Sequence, residues 1–193
     1  MIVLVFDTET TGLIHKNIEI SPETIETLPF ILQLAWILYD TQTGKQTEKD
    51  VILTCPTPIP TESTKVHGIT NKISENGYDI SEIIDIFLDD VKECDVLVGH
   101  NIGFDLNMLE IELYRLDRDS DSDMLFNKVI FDTMLEAKNV LKLPGKRGYK
   151  FPTLAECHMN FFEFMFNDAH NALGDVRATL AIYKHLQKCK GIP

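Results

Sequence analysis

The chain opens on an apolar run that ends in acids. In MIVLVFDTETTG, residues 1–7 are nearly all apolar and alternate little. That is the pattern of a central strand buried on both faces of a sheet, because a half-exposed strand alternates with period two. Such a strand demands layers of structure above and below it, and at its end it carries Asp7 and Glu9. Side chains two apart on a strand point to the same side, so both carboxylates can face one cation. Two later segments repeat the theme. VLVGHNIGFD sets Asp105 just beyond a short apolar strand, and AHNALGDVRAT sets His170 and Asp175 around the start of a helix. Carboxylates gathered at strand ends repel one another and lose hydration, and a divalent cation is the usual means of neutralising such a cluster.

The rest of the chain supplies the layers. FILQLAWILYD, residues 30–40, predicts a second strand; TQTG predicts a turn, and KQTEKDVILT a third strand in hairpin with the second. CPTPIPTES is proline-rich and reads as loop, and HGITNKISENG as a short irregular or helical connection. In residues 79–91, Ile80, Ile83, Ile84, Phe87, Leu88 and Val91 recur at helical spacing, with Asp79 as N-cap. DVLVGHN is a fourth strand. FDLNMLEIELYRL is a helix with Leu106, Leu109 and Leu113 on one face, and the acidic run DRDSDSD reads as a surface loop. KVIFDT is the last strand, followed by a helix in TMLEAKNVLKL that stops at Pro144 and Gly145. PTLAECHMNFF begins another helix, and a final one runs from about Ala172 to Lys188 with Val176, Leu180 and Tyr183 facing inward. The expected fold is α/β: a mixed five-stranded sheet, three antiparallel strands then two parallel ones, with helices on both faces. Residues 1–193 are expected to form a single domain.

Bulk properties narrow the function. No apolar run is long enough to span a membrane, and the first residues lack the basic start of a signal peptide. Cys55, Cys94, Cys157 and Cys189 have no metal-ligand spacing and read as free thiols in a reducing compartment, so a cytoplasmic or nuclear, non-secreted protein is expected. The net charge of −12 argues against a tight, non-specific DNA coater. It is compatible with an enzyme that holds only a few nucleotides of a strand end.

Each site residue has a plainer role beside its chemical one. Asp105 in a first helical turn interacts favourably with the helix dipole, a role compatible with metal contact. Asn101 either bonds a phosphate or holds its own loop, and His100 is favoured as a satisfied buried histidine. His170, five residues before Asp175, does not share a helical face with it and is placed on the preceding loop, where it can reach the same site. A histidine ordinarily titrates near neutral pH and can take a proton from a metal-bound water; taken alone, His170 is a surface or capping residue. Thr10, Thr11 and Gly12 form a tight turn that lets a ligand backbone approach. In KLPGKRGYKF, Lys142, Lys146, Arg147 and Lys150 alternate with Tyr149 and Phe151, a combination suited to phosphate contact and base stacking or, equally, to a solvated loop.

In order and internal spacing, FDTETTGL, HNIGFD and HNALGDVRAT resemble the three motifs of the DEDDh family of 3′→5′ exonucleases, proofreading subunits and stand-alone enzymes of the RNase H-like fold. Gln33 in its QLA context, HGIT at 67–70, FDT at 131–133 and the PG and PTLAEC of 144–157 agree, so the resemblance spans nearly the whole chain. The His170 to Asp175 spacing is similar to that of the histidine branch, and the opening departs from the oligoribonuclease pattern. The resemblance implies catalysis by Asp7, Glu9, Asp105, Asp175 and His170. The four acids would hold two divalent cations, Mg²⁺ or Mn²⁺, while His170 accepts a proton from the attacking water and nucleoside 5′-monophosphates leave. Candidate substrate contacts are Thr8, Thr10, Gly12, Leu13, His67, Asn101 and Phe104, together with Lys146 and Arg147 of the basic segment; Leu13 is similar in place to a residue beside the terminal base in the family, or is simply packed. Single-stranded 3′ ends, DNA before RNA, are the expected partner; a DNA polymerase subunit as a further partner stays open. An exoribonuclease acting on RNA ends and a non-catalytic binding module of the same fold are the alternatives.

Overall fold

The computed structural model describes residues 1–15, 18–164, 166 and 170–189. The elements are β1 (Ile2–Thr10), β2 (Ile31–Asp40), β3 (Gln46–Ile52), α1 (Thr61–His67), α2 (Asn71–Ser74), α3 (Ile80–Glu93), β4 (Val96–Gly99), α4 (Gly103–Arg115), α5 (Asp119–Phe126), β5 (Val129–Asp132), α6 (Thr133–Leu141), β6 (Pro144–Gly145), β7 (Gly148–Tyr149), α7 (Leu154–Phe162) and α8 (Ala172–Cys189). The main sheet has the order β3-β2-β1-β4-β5. β1 pairs antiparallel with β2 and parallel with β4; β2–β3 is antiparallel and β4–β5 parallel. This is the mixed five-stranded sheet expected from the sequence, with β1 at its centre.

The central strand is apolar from Ile2 to Phe6 because that part serves two cores. Its even positions, Leu4 and Phe6, join Trp36, Ile84, Phe87 and Leu109 under α3 and α4. Phe87 meets Phe6 and Trp36 edge-on, each with ring centres 5.4 Å apart. Its odd positions, Val3 and Val5, join Ala35, Ile37, Val176 and Tyr183 under α8. Each such fully buried side chain contributes about 1.5–3 kcal/mol relative to exposure. The same alternation decides where the functional end of the strand points. Asp7 and Glu9 continue the odd series towards the α8 side, and Thr8 continues the even series towards α4.

Asp79 caps α3 as expected, accepting from Ser81 N–H at 2.8 Å. α8 covers the stretch predicted for it and buries Val176, Leu180 and Tyr183. Three segments differ from their sequence readings. The end of the proline-rich stretch is helical: Pro60, with φ −60°, leads into α1, and Gly68, with φ 77°, closes it in the left-handed conformation. The acidic run is the helix α5 rather than a loop. Arg118 neutralises part of it by pairing with Asp121 and Asp85 at 2.7 Å, and Leu125 anchors it in the core. The KLPGKRGYKF segment folds back as the two-residue ladder β6–β7. Among the described residues, no helix is long and apolar enough to cross a membrane.

Candidate active site

The end of β1 brings three of the four predicted acids together. Carboxylate oxygens of Asp7, Glu9 and Asp175 lie within 4.8 Å of one another. Asp7 and Glu9 are there because both belong to the odd series of β1. Asp175 is there because it lies in the first turn of α8, which packs on that face. Asp105 reaches the same strand end from the opposite side of the sheet, on α4, and stands outside the threesome. It is 3% exposed, and its Oδ1 accepts from the Thr8 amide at 3.0 Å and the Thr8 hydroxyl at 2.7 Å. Thr8 thus acts through its even-numbered position, holding Asp105 in a single orientation.

The electrostatics of the group are unfavourable on their own. Burial first, then the charges of Asp105, Asp175 and Glu9, raise the Asp7 carboxyl well above the usual range. Burial, with Asp175 and Asp105 adding to it, pushes Glu9 up to about 7. Burial pushes Asp105 up to about 7 against the pull of its Thr8 hydrogen bonds, and Asp175 up to about 6 against the pull of the His170 charge and a hydrogen bond from its backbone. The Oδ1 atom of Asp175 is buried with no hydrogen-bond partner among the described residues. Converging hard oxygen ligands, mutual repulsion and an unpartnered buried oxygen fit a divalent cation, which would satisfy all three at once.

These shifts set a sign for stability. Carboxyls whose folded pKa is raised stabilise the fold fully below their ordinary values near 4 and lose that contribution as pH rises towards 7. The melting temperature of EDTA-treated protein is expected to fall between pH 5 and pH 7.5, and added Mg²⁺ or Mn²⁺ to raise it more at pH 7.5 than at pH 5. A metal-free melting temperature that stays level across that window would contradict this account.

His170 lies in the turn just before α8, exposed and with φ 64°, a left-handed conformation that costs a non-glycine residue energy. Beside the acids lies a cleft of about 410 Å³, lined by Thr8, Glu9, Thr10, Gly12 and Leu13 of β1 and its following turn, by α1 and by Phe104. Thr10 Oγ1 donates to the Gly12 carbonyl at 2.7 Å, and Ser63 of α1 fixes the same turn by donating to the Thr11 carbonyl at 2.7 Å. Leu13 is 77% exposed at the rim, which settles its packing alternative: it is not a core leucine. His67 lines the cleft and accepts from Ile69 N–H at 3.0 Å; burial lowers its pKa.

Not every predicted contact gathers here. Lys146 and Arg147 occupy the exposed turn between β6 and β7 and do not line the cleft. Lys150 pairs with Glu156, and Lys138 covers the ring of Phe151 at 3.8 Å, so both are partly engaged by the protein itself. Asn101, with φ 67°, supplies its backbone N–H to Asp132 at 3.1 Å rather than lining the cleft. His100 is satisfied, with Nδ1 3.0 Å from the Thr133 hydroxyl and Nε2 3.1 Å from the Pro152 carbonyl. Glu62, Ser63 and Val66 also line the cleft; the loop reading of 55–63 hides the first two and leaves Val66 without an element, and the proline before the helix and the glycine after it are the signal of it.

Comparison with known proteins bears out the family resemblance. The profile of the Exonuclease family, the RNase T type, matches residues 4–183, and the chain belongs to that family. A PolC-type DNA polymerase III of Caldanaerobacter subterraneus is 28% identical in an alignment 196 positions long that covers 98% of this chain and 12% of that protein. The DNA polymerase III subunit epsilon of Treponema pallidum is 28% identical over 181 residues, 92% of this chain and 73% of that one. Among solved structures, E. coli exonuclease I in complex with a dT13 oligonucleotide superposes with a TM-score of 0.76 at 17% identity, over 98% of this chain and 42% of that one. At that identity the likeness speaks for the fold. The chain therefore spans about an eighth of the PolC-type relative and under half of exonuclease I.

Proposed function

We propose that this chain is a 3′→5′ exonuclease that removes nucleotides one at a time from single-stranded DNA ends and releases nucleoside 5′-monophosphates. The observation that carries the proposal is the convergence of Asp7, Glu9 and Asp175 within 4.8 Å beside an open cleft, in a chain of the exonuclease family. Asp7, Glu9, Asp175 and Asp105 would hold two divalent cations, Mg²⁺ or Mn²⁺. Such ions, when bound, offset charge on the phosphate undergoing in-line displacement and make water a better nucleophile at neutral pH.

The protein's own groups divide the remaining work. Thr8 holds Asp105 rigid by two hydrogen bonds, so that its second oxygen keeps a fixed direction. His170, exposed and close enough for its charge to act on Asp175, accepts the proton of the attacking water. Leu13 and Phe104 flank the cleft and offer apolar faces to the terminal nucleoside. Lys146 and Arg147, on their exposed turn, meet the phosphates further up the strand. The polymerase III relatives support a proofreading role beside a polymerase.

The test is a time course on 5′-labelled single-stranded DNA, the same sequence as RNA, and a duplex with a mismatched 3′ end, each with Mg²⁺ and with Mn²⁺. Stepwise shortening of the DNA from its 3′ end, abolished by EDTA, is expected. Preference for the ribo strand would move the proposal to an exoribonuclease, and metal-independent binding without turnover would make the chain a binding module.

A further inference from the structure

Gln33 is the one polar side chain in the buried stretch of β2 from Ile31 to Ile37, and it is 2% exposed. It stands opposite Glu9 in the β1–β2 pairing, on the α8 side of the sheet. Its Oε1 accepts from the Ala172 N–H at 3.3 Å, and its Nε2 donates to Oδ1 of Asp50 at 2.7 Å. Ala172 is fully buried and is the first residue of α8, where backbone N–H groups have no acceptor within the helix. A buried N–H without a partner is costly, so the position of the Gln33 oxygen constrains where the helix can begin. That beginning carries the site. Asn171 caps the same turn, its carbonyl accepting from the Asp175 amide at 3.0 Å, and His170 immediately precedes it.

We propose that Asp50 and Gln33 are positioning residues for the carboxylate site, acting through Ala172. The two ends of a glutamine amide are nearly equal in shape but opposite in hydrogen bonding. The Asp50 carboxylate only accepts, so it selects the orientation in which Nε2 faces β3 and Oε1 faces α8. In the flipped orientation an NH₂ group would meet the Ala172 N–H, and the first turn of α8 would shift away from Asp7 and Glu9. Asp50 lies exposed on the edge strand β3, yet through this relay it fixes where Asp175 and His170 are presented. The kinetic part of this inference rests on the nuclease reading; the hydrogen-bond relay does not.

Asp50→Ala, Asp50→Asn and the wild-type protein separate these layers. Asp50→Ala is expected to accelerate amide hydrogen exchange at Ala172 by about fivefold, the equilibrium weight of one hydrogen bond. It should also lower kcat about five- to tenfold with KM within about twofold, as a misplaced catalytic group does. Asp50→Asn loses the charge but keeps an accepting oxygen, and it should recover most of both effects, which removes charge as the cause. Exchange at Ala172 identical in wild type and Asp50→Ala would overturn the relay. Faster exchange with unchanged kcat would overturn the positioning role. A wild-type protein without nuclease activity would instead sink the functional reading, and the exchange measurement would still decide the relay.

Discussion

Asp7→Asn is expected to end mononucleotide release while making the metal-free protein more stable. Asp7 sits at the meeting point of the four acids and, after burial itself, feels the charge of each of the other three. Losing one anionic ligand to the cations should remove at least about 10³-fold in kcat, or about 4 kcal/mol of transition-state stabilisation. The amide keeps the shape of the side chain but cannot ionise, so it relieves the repulsion that Glu9, Asp105 and Asp175 otherwise share. In EDTA at pH 7.5 the variant should therefore melt above wild type, by about 2–4 °C for each kcal/mol relieved. Mg²⁺ or Mn²⁺ should stabilise it less than wild type. Activity assays on 5′-labelled single-stranded DNA and melting curves with and without metal check both halves. Wild-type turnover in Asp7→Asn would show that the cluster is not the reaction centre.

His170→Ala should lower kcat by roughly 10²–10⁴, the usual share of a general base, with a much smaller change in KM. The turn that holds it is strained, with φ 64°, and its backbone bonds to the Asp175 carboxyl, so the residue is held beside the acids rather than free to swing away. Loss of less than about tenfold would assign the proton to another acceptor.

Much of this was readable from local pattern. The unbroken apolar run of β1 specified a strand with two buried faces, and period two put Asp7 and Glu9 on one of them. The helical spacing of Ile80 to Val91 and the Asp79 cap specified α3. Order and spacing of three short motifs specified the family. What was misread shares a cause: α1 and α5 are short, polar helices whose formation depends on partners elsewhere. α5 is acidic and becomes favourable only when Arg118 reaches Asp121 and Asp85 and Leu125 is buried. The basic KLPGKRGYKF segment has the composition of a nucleic-acid contact, but composition says nothing of distance, and its Lys146 and Arg147 lie outside the cleft.

The sequence by itself determined which acids the molecule commits to its strand ends, because alternation along a strand and the first turn of a helix are local properties of a few consecutive residues. Only the tertiary structure decided how they meet. Asp175 arrives on the face that α8 covers, and Asp105 arrives from the other face, locked by Thr8. Gln33, notable in the sequence only for its QLA context, accepts from the first amide of the helix that carries Asp175. Those relations join residues about 70 to 170 positions apart, and their energies come from packing, shared burial and repulsion that exist only once the sheet has assembled.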